Sequence, residues 1–363
     1  MRRDPIRLLY VALERLRPGS AATTHVGEIF EGLRRLGVAG ELIAEAGEPG
    51  GGRATLGRYG RVLTRGIAAL RRSDIVYIRS HFAALPLALA ARALGKPVIH
   101  EINGTYEDAL VTHRIGGSVA RLLRAMQRTQ YRGAAALVAV TPDLAAWAAC
   151  EAGHGRVHVV PNAANTDLFR PDGPRTARER PYAIFFGGLT RWHGVDTMIG
   201  AAARPEWPPD LDLVVAGPVV DPSLDPLLRA APAKVAYLGP VPQAELPGLI
   251  RGAVAAMVPI SDPGGRSQKG VLPLKLYEGL ACGVPAVVTD LKGQADLVRS
   301  GGCGLVVPVD DPAALAQAVA SLARDPERAR LMGEAGARLV AAEHSWTARA
   351  RQTRDIVADV VPD

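Results

Sequence analysis

Lys275 and Glu278 stand three positions apart in Leu274-Lys-Leu-Tyr-Glu-Gly-Leu-Ala281, a run that is otherwise almost wholly apolar. Side chains at that spacing share one face of a helix. Leu272, Leu274, Leu276, Leu280 and Ala281 call for burial, so the two charges sit at the margin of a core. A charge there is costly unless it is paired or bound to something. Two readings follow: a surface ion pair, or a ligand site at the mouth of an α/β sheet. The run ends in Cys282-Gly-Val-Pro285 and a short valine-rich stretch, as a helix stops and a strand begins.

Three other groupings carry chemistry. In "VIHEINGTYED" the residues His100, Glu101, Asn103 and Glu107 fall at the end of an apolar run, with His100 alternating against Glu101 and Asn103. Arg121, Arg124, Arg128 and Arg132 follow at spacings of three, four and four, beside Leu122, Leu123 and Met126. Such a basic amphipathic helix suits an anionic membrane surface, or is simply a solvated face. The loop from Ser261 to Gly270 is rich in glycine. Its N–H groups, or Ser267, Gln268 and Lys269, can cradle phosphate, though glycine loops are common.

These residues need a scaffold. Strand-length apolar runs at 6–12, 41–44, 75–79, 97–102, 137–141 and 157–160 alternate with helical stretches at 24–36, 85–94 and 117–132. That alternation predicts a parallel sheet covered on both faces. A polar, Pro/Gly-rich stretch at 170–181 reads as an interdomain linker. A second alternation follows, with strands at 182–186, 211–216, 234–238, 253–259, 286–289 and 304–307. Its helices are expected at 195–203, 244–251, 274–282, 312–323 and 326–342. The expected organisation is a domain at 1–169, the linker 170–181, a domain at 182–345, and a helix within 346–363 that returns to the first domain. Two doubly wound domains would face each other across a cleft, with ligands at the carboxyl ends of the strands.

With 363 residues the chain exceeds what one core usually serves. No apolar run approaches the roughly 18–20 residues of a membrane-spanning helix. The three cysteines lack metal-ligand spacing, which fits a reduced cytoplasmic protein. The net charge is +7 overall, but residues 1–170 alone carry +9. That excess suits an anionic partner for the first half, or serves solubility. Aromatic residues make up only 5%, which argues against a nucleic-acid surface.

Four ordered motifs now give the chain a likeness. They are "VVPNAANTDLF" at 159–169, "FFGGLTRWHGVDTMIGAA" at 185–202, "VAYLGPVPQAELPGLI" at 235–250 and "KLYEGLACGVPAVVTDLKGQADLVRSGGCGLVVPVDDPAALAQAV" from Lys275. Together they resemble the family 4 retaining glycosyltransferases, whose GT-B architecture consists of two Rossmann-like domains. The resemblance implies that Glu278 accepts hydrogen bonds from both ribose hydroxyls of a nucleotide sugar. Lys275, Leu274 and the helix start near Pro273, with Pro in the first turn, would serve the diphosphate and sugar. Most members carry a second glutamate where this chain has Gly270. They also carry Arg and Lys on the diphosphate where this chain has Gly188 and His193. Arg191 is the expected substitute, with His193 either a further donor or a plain helix-start residue. Pro18-Gly19-Ser20 resembles the family's small-residue loop near the donor phosphate, where glycine lets the ligand approach. His25 begins the helix that follows. Asn103 and Glu101, at Glu-x-Asn-Gly, are expected to contact the transferring sugar or the acceptor.

The implied reaction moves a sugar from a nucleotide-diphosphate donor, UDP by expectation, to a hydroxyl with retention of configuration. The acceptor would attack on the face from which the diphosphate leaves. A leaving phosphate oxygen would take its proton, so charge neutralisation and positioning are the protein's part. No metal is expected, and no cofactor beyond the nucleotide-sugar co-substrate. The expected acceptor is a lipid-linked glycan, a polysaccharide precursor or a small molecule. The expected location is cytoplasmic, peripheral on the inner face of the membrane through Arg121, Arg124 and Arg128. Two alternatives remain: a non-catalytic GT-B partner subunit with a degenerate donor site, or a nucleotide-sugar epimerase or phosphorylase.

Overall fold

The computed structural model describes residues 5–17, 19–47, 52–112, 115–262 and 268–361. The chain forms two compact units. One comprises Met1–Pro161 with Thr347–Asp363, and the other Asn162–Trp346.

The first unit runs β1 (Arg7–Leu16), α1 (Ala21–Arg35), β2 (Ala39–Ala46), α2 (Gly52–Ala69), β3 (Ile75–Arg79) and α3 (Leu85–Ala93). It continues with β4 (Val98–Ile102), α4 (Tyr106–Thr112), α5 (Gly117–Arg132), β5 (Ala136–Ala139), α6 (Pro142–Ala152) and β6 (Val157–Val159). Its sheet has the order β2-β1-β3-β4-β5-β6, all pairs parallel. Strands buried on both faces explain the unbroken apolar runs: Leu8 to Leu13 are all buried. Ser20 caps α1 by accepting from the Thr23 N–H at 3.2 Å.

The second unit holds β7 (Tyr182–Phe186), α7 (Val195–Ala202), β8 (Asp212–Ala216), α8 (Asp225–Arg229), β9 (Val235–Gly239) and α9 (Leu246–Arg251). Then come β10 (Ala255–Val258), α10 (Leu274–Ala281), β11 (Ala286–Thr289), α11 (Gln294–Gly301), β12 (Gly304–Val307), α12 (Pro312–Arg324) and α13 (Pro326–Glu343). The order β12-β11-β10-β7-β8-β9 is again all parallel. Ile184, Phe186 and Val258 line one core, and Phe185, Val215 and Met257 line the other. A last helix, α14 (Trp346–Val360), returns the chain to the first unit. There it packs on α1, with the Ala350 Cβ only 2.5 Å from where a side chain on Gly32 would begin. The fold is the GT-B type expected from the sequence.

The chain changes unit between Pro161 and Asn162, ahead of the polar stretch read as a linker. Residues 170–181 are fastened to the second unit instead. The buried Arg251 donates to the carbonyls of Pro174 at 3.0 Å and Arg170 at 3.1 Å. The Thr176 N–H adds a bond to the Gly248 carbonyl at 3.0 Å.

Candidate functional site

In each sheet the strand order reverses direction once. Ligands of open α/β sheets bind at the carboxyl ends beside such a reversal. In the second unit it lies between β7 and β10, and in the first between β1 and β3.

At the end of β7 the chain enters Gly187-Gly188-Leu-Thr-Arg-Trp-His-Gly194. Gly194 has a φ of 68°, and a Cβ there would lie 1.7 Å from the Pro259 carbonyl oxygen, so only glycine lets this loop rest on the end of β10. Lys275, on the first turn of α10, reaches the same place. Its Nζ lies 3.9 Å from the centroid of the Phe185 ring. A Cβ on Gly187 would be 3.5 Å from it. The lysine is 7% exposed, and among the described residues its Nζ has no hydrogen-bond partner. Burial pulls its pKa down to about 7, with Glu278 opposing the shift. Seven of the eight residues of α10 are buried, and Glu278 is the exception. The helix therefore presents one carboxylate outward and hides one ammonium. Pro273 is the N-cap of α10 and lies outside its first turn, a correction to the sequence reading. The Asn162 side-chain amide holds this approach by donating to the Leu272 carbonyl at 2.8 Å.

The residues expected to replace the family's diphosphate cations are placed differently. Arg191 is exposed and engaged: its guanidinium binds the Asp196 carboxylate at 2.6 Å and donates to the Ser223 hydroxyl at 3.1 Å. His193 turns its Nδ1 toward the Gly188 carbonyl at 2.7 Å and the Thr190 hydroxyl at 3.1 Å. A carbonyl can only accept, so Nδ1 carries the proton. A side chain at Gly188 would begin 3.0 Å from a Val220 methyl, so the valine would have to give way to admit one. Gly270 has a φ of 83° and precedes a bridge from Val271 to Gly293. Ser267 and Pro18 lie outside the described residues.

In the first unit Glu101, near the end of β4, gathers five donors. The hydroxyls of Tyr10 at 2.9 Å and Tyr77 at 3.1 Å donate to its Oε2. The Arg79 guanidinium at 2.7 Å, the Asn103 amide at 2.6 Å and His25 Nε2 at 3.1 Å meet its Oε1. Burial alone would raise the carboxyl pKa, but His25, Arg79 and Asn103 together hold it well below the usual range. Glu101 is 1% exposed and both oxygens are taken. In this structure its carboxylate is committed to protein groups rather than open to solvent. Arg79 also pairs with Glu14. Asn103 is half-buried and Glu14 is 39% exposed, so these two stand at the rim of the cluster. His25 is brought into this cluster, as a buried partner. Gly19 has a φ of 74° and open space where a Cβ would stand, so backbone conformation rather than crowding accounts for the glycine.

His100 points to the opposite face of the sheet, as the alternation implied, with its ring edge-on to Tyr131 at 5.9 Å. Burial pulls its pKa down to about 3, so it is neutral. On α5, Arg121 and Arg124 are exposed beside Val119 and Leu122, while Arg128 is tied to Glu151 at 2.6 Å. Sequence reading missed Tyr10, Tyr77, Arg79 and Glu14. A signal was present: Tyr10 and Tyr77 are the phenols within the buried apolar stretches of β1 and β3.

The two Rossmann-like units and the pair of sites at their sheet reversals define a GT-B protein. The family model described as Glycosyltransferase Family 4 matches residues 22–168, and that described as Glycosyl transferases group 1 matches residues 180–325. The chain belongs to this glycosyltransferase family. It is 29% identical to D-inositol 3-phosphate glycosyltransferase 1 of Catenulispora acidiphila, over 80% of this chain and 74% of that one. It is 31% identical to alpha-maltose-1-phosphate synthase of Mycolicibacterium smegmatis, but over 56% of this chain and only 57% of that relative's length. It is 27% identical to the same species' GDP-mannose-dependent alpha-(1-6)-phosphatidylinositol monomannoside mannosyltransferase, over 76% and 75%. Among solved structures, sucrose-phosphate synthase of Thermosynechococcus elongatus superposes with a TM-score of 0.78 at 17% identity, covering 98% of this chain and 99% of that one. Anabaena HepE in complex with UDP-glucose gives 0.72 at 15%, covering 98% and 100%. At these identities the structures speak for the fold alone.

Proposed function

We propose that this glycosyltransferase is a retaining, metal-independent enzyme that moves a sugar from a nucleotide-diphosphate donor to a hydroxyl acceptor. The observation that carries the reading is α10. It offers one outward carboxylate, Glu278, suited to a ribose diol, and one hidden ammonium, Lys275, against a glycine turn at the sheet's reversal. Lys275, Leu274, Gly188, Gly270, Gly19 and His193 belong to the donor side in this reading. Arg191, held by Asp196, must leave that carboxylate to reach a phosphate. The Glu101 cluster shapes the acceptor side through Asn103 and Glu14, with His25 and Arg79 behind them. As the acceptor oxygen bonds to the anomeric carbon, the carbon–oxygen bond to the diphosphate breaks. The departing phosphate oxygen takes the acceptor's proton. UDP is the favoured nucleotide by expectation, while one relative's name specifies GDP-mannose.

Calorimetric titration of UDP, GDP, dTDP and ADP without metal tests this. One nucleotide should bind, and Glu278→Ala should weaken it about tenfold or more, roughly 1.4 kcal/mol. Binding of none would leave the degenerate, non-catalytic partner as the better account.

For the acceptor, the relatives' names include a phosphatidylinositol mannoside, and α5 presents a basic, partly apolar face. Among the described residues no helix is long and apolar enough to cross a membrane. We therefore place a lipid-linked acceptor first, reached by peripheral docking of α5. Each basic residue near an anionic surface contributes ~1 kcal/mol, so Arg121→Ala with Arg124→Ala should weaken binding to phosphatidylserine vesicles roughly 30-fold. Arg128→Ala should change it less, because Glu151 already neutralises that charge. Equal binding to neutral and anionic vesicles would remove the docking proposal.

A further inference from the structure

We infer that Lys275 is a proton-gated counter-ion: beneath the Gly187 turn it is only partly protonated at neutral pH, and it takes up a proton when the donor's diphosphate arrives. This rests on the donor-site reading above and adds a regulation to it. The ammonium is buried, lies over the Phe185 ring and, among the described residues, makes no hydrogen bond. Among the described residues, the charge that acts on it is Glu278, on its own helix. From β7 and the following turn come Phe185 and Gly187, neither of which titrates.

A buried amine in this setting loses its proton readily, because burial disfavours the charged form. Its pKa near 7 leaves the free protein poised between the two forms at neutral pH. A diphosphate at the adjacent turn brings negative charge within the range where an ammonium is strongly favoured. The amine pKa must then rise on binding, and by linkage binding must draw in a proton. The sign follows. The attraction is fully present below the free pKa and is lost as pH rises above it.

The glycine turn gives this geometry a purpose. Gly187 has a φ of 104°, and a Cβ placed there would lie 3.5 Å from the lysine Nζ. A phosphate resting on the turn would therefore meet the ammonium from beneath. The cation would come from the helix behind the loop.

The test is calorimetry of UDP and GDP at pH 8 in two buffers of different protonation enthalpy, repeated from pH 7 to 8.5. Wild type should take up about one proton at pH 8, with affinity falling about tenfold per pH unit. Lys275→Arg, which stays charged, should bind with no uptake and a flat profile. Lys275→Met should bind weakly, also without uptake. Nucleotide binding by wild type with no proton uptake, or uptake that survives in Lys275→Met, overturns this inference and leaves the donor site standing. Absence of any nucleotide binding at pH 7 overturns both. Should Lys275→Met fail to fold, the buffer comparison on wild type and Lys275→Arg decides alone.

Discussion

Glu101→Ala should destabilise the protein by about 3–5 kcal/mol, the cost expected when one partner of a buried charged network is removed. The carboxylate is the shared acceptor of Tyr10, Tyr77, Arg79, Asn103 and His25. These donors come from β1, β3, the end of β4 and α1, so the loss loosens one end of the first unit's sheet. Glu101→Gln should cost less, about 1–3 kcal/mol. Its amide can donate to the phenol oxygens while its carbonyl still accepts from the other three. The pH dependence has a definite sign. The carboxyl pKa is lowered in the folded state. Its contribution is therefore present above the ordinary glutamate value of about 4.3 and is lost as pH falls below it. Wild type should lose stability steeply below pH 4.5, and Glu101→Gln less steeply. Urea unfolding at pH 7 and pH 4 reads both effects. A Glu101→Ala variant within ~1 kcal/mol of wild type would show that the cluster holds little together.

What could be read from the sequence, and what could not, follows from the range of the interactions. The strands were legible because both faces are buried, so runs such as Ile75–Ile78 and Tyr182–Phe186 are apolar without interruption. Helix α2 was not, because Gly52, Gly57, Gly60 and Gly66 dilute its pattern, each at a cost of about 1 kcal/mol against alanine. Tertiary packing of Val62 and Ala69 secures it all the same. The apolar neighbours of Glu278 placed it at the margin of a core, and it is the one residue of α10 that is not buried, whereas the same reasoning did not show that Lys275 is. The burial of Glu101 was not legible: alternation along a strand tells which face a side chain takes, not how deep it lies. Depth came from Tyr10 and Tyr77, residues 91 and 24 positions away in sequence. Arg191 looked free because only the fold brings Ser223 to it. The unit boundary was displaced for a similar reason, since Arg251 ties a linker-like segment to the second unit.

Lys275→Met should make the protein more stable, and this is the reverse of what removing a conspicuous charge usually does. Burial in the folded state depresses the lysine's pKa to about 7, well below its ordinary value. Below pH 7 the ammonium is therefore held charged in a place that disfavours it, at a cost on the order of a few kcal/mol. The Phe185 ring returns only part of that through its attraction for a cation. Methionine is unbranched, similar in length and apolar, so it can fill the same channel without strain. The stabilisation should be largest at pH 6. It should shrink as pH rises from 7 toward 10.5, where the lysine is neutral both folded and unfolded. Urea titrations at pH 6 and pH 9 measure the difference, and a variant less stable than wild type at pH 6 would refute the account. Stability and function are joined here. A buried ammonium with no hydrogen-bond partner among the described residues is a standing cost to the free protein, and the same cost makes the site attract an anion. A variant that is both more stable and a weaker binder would show that this strain is what the donor diphosphate relieves.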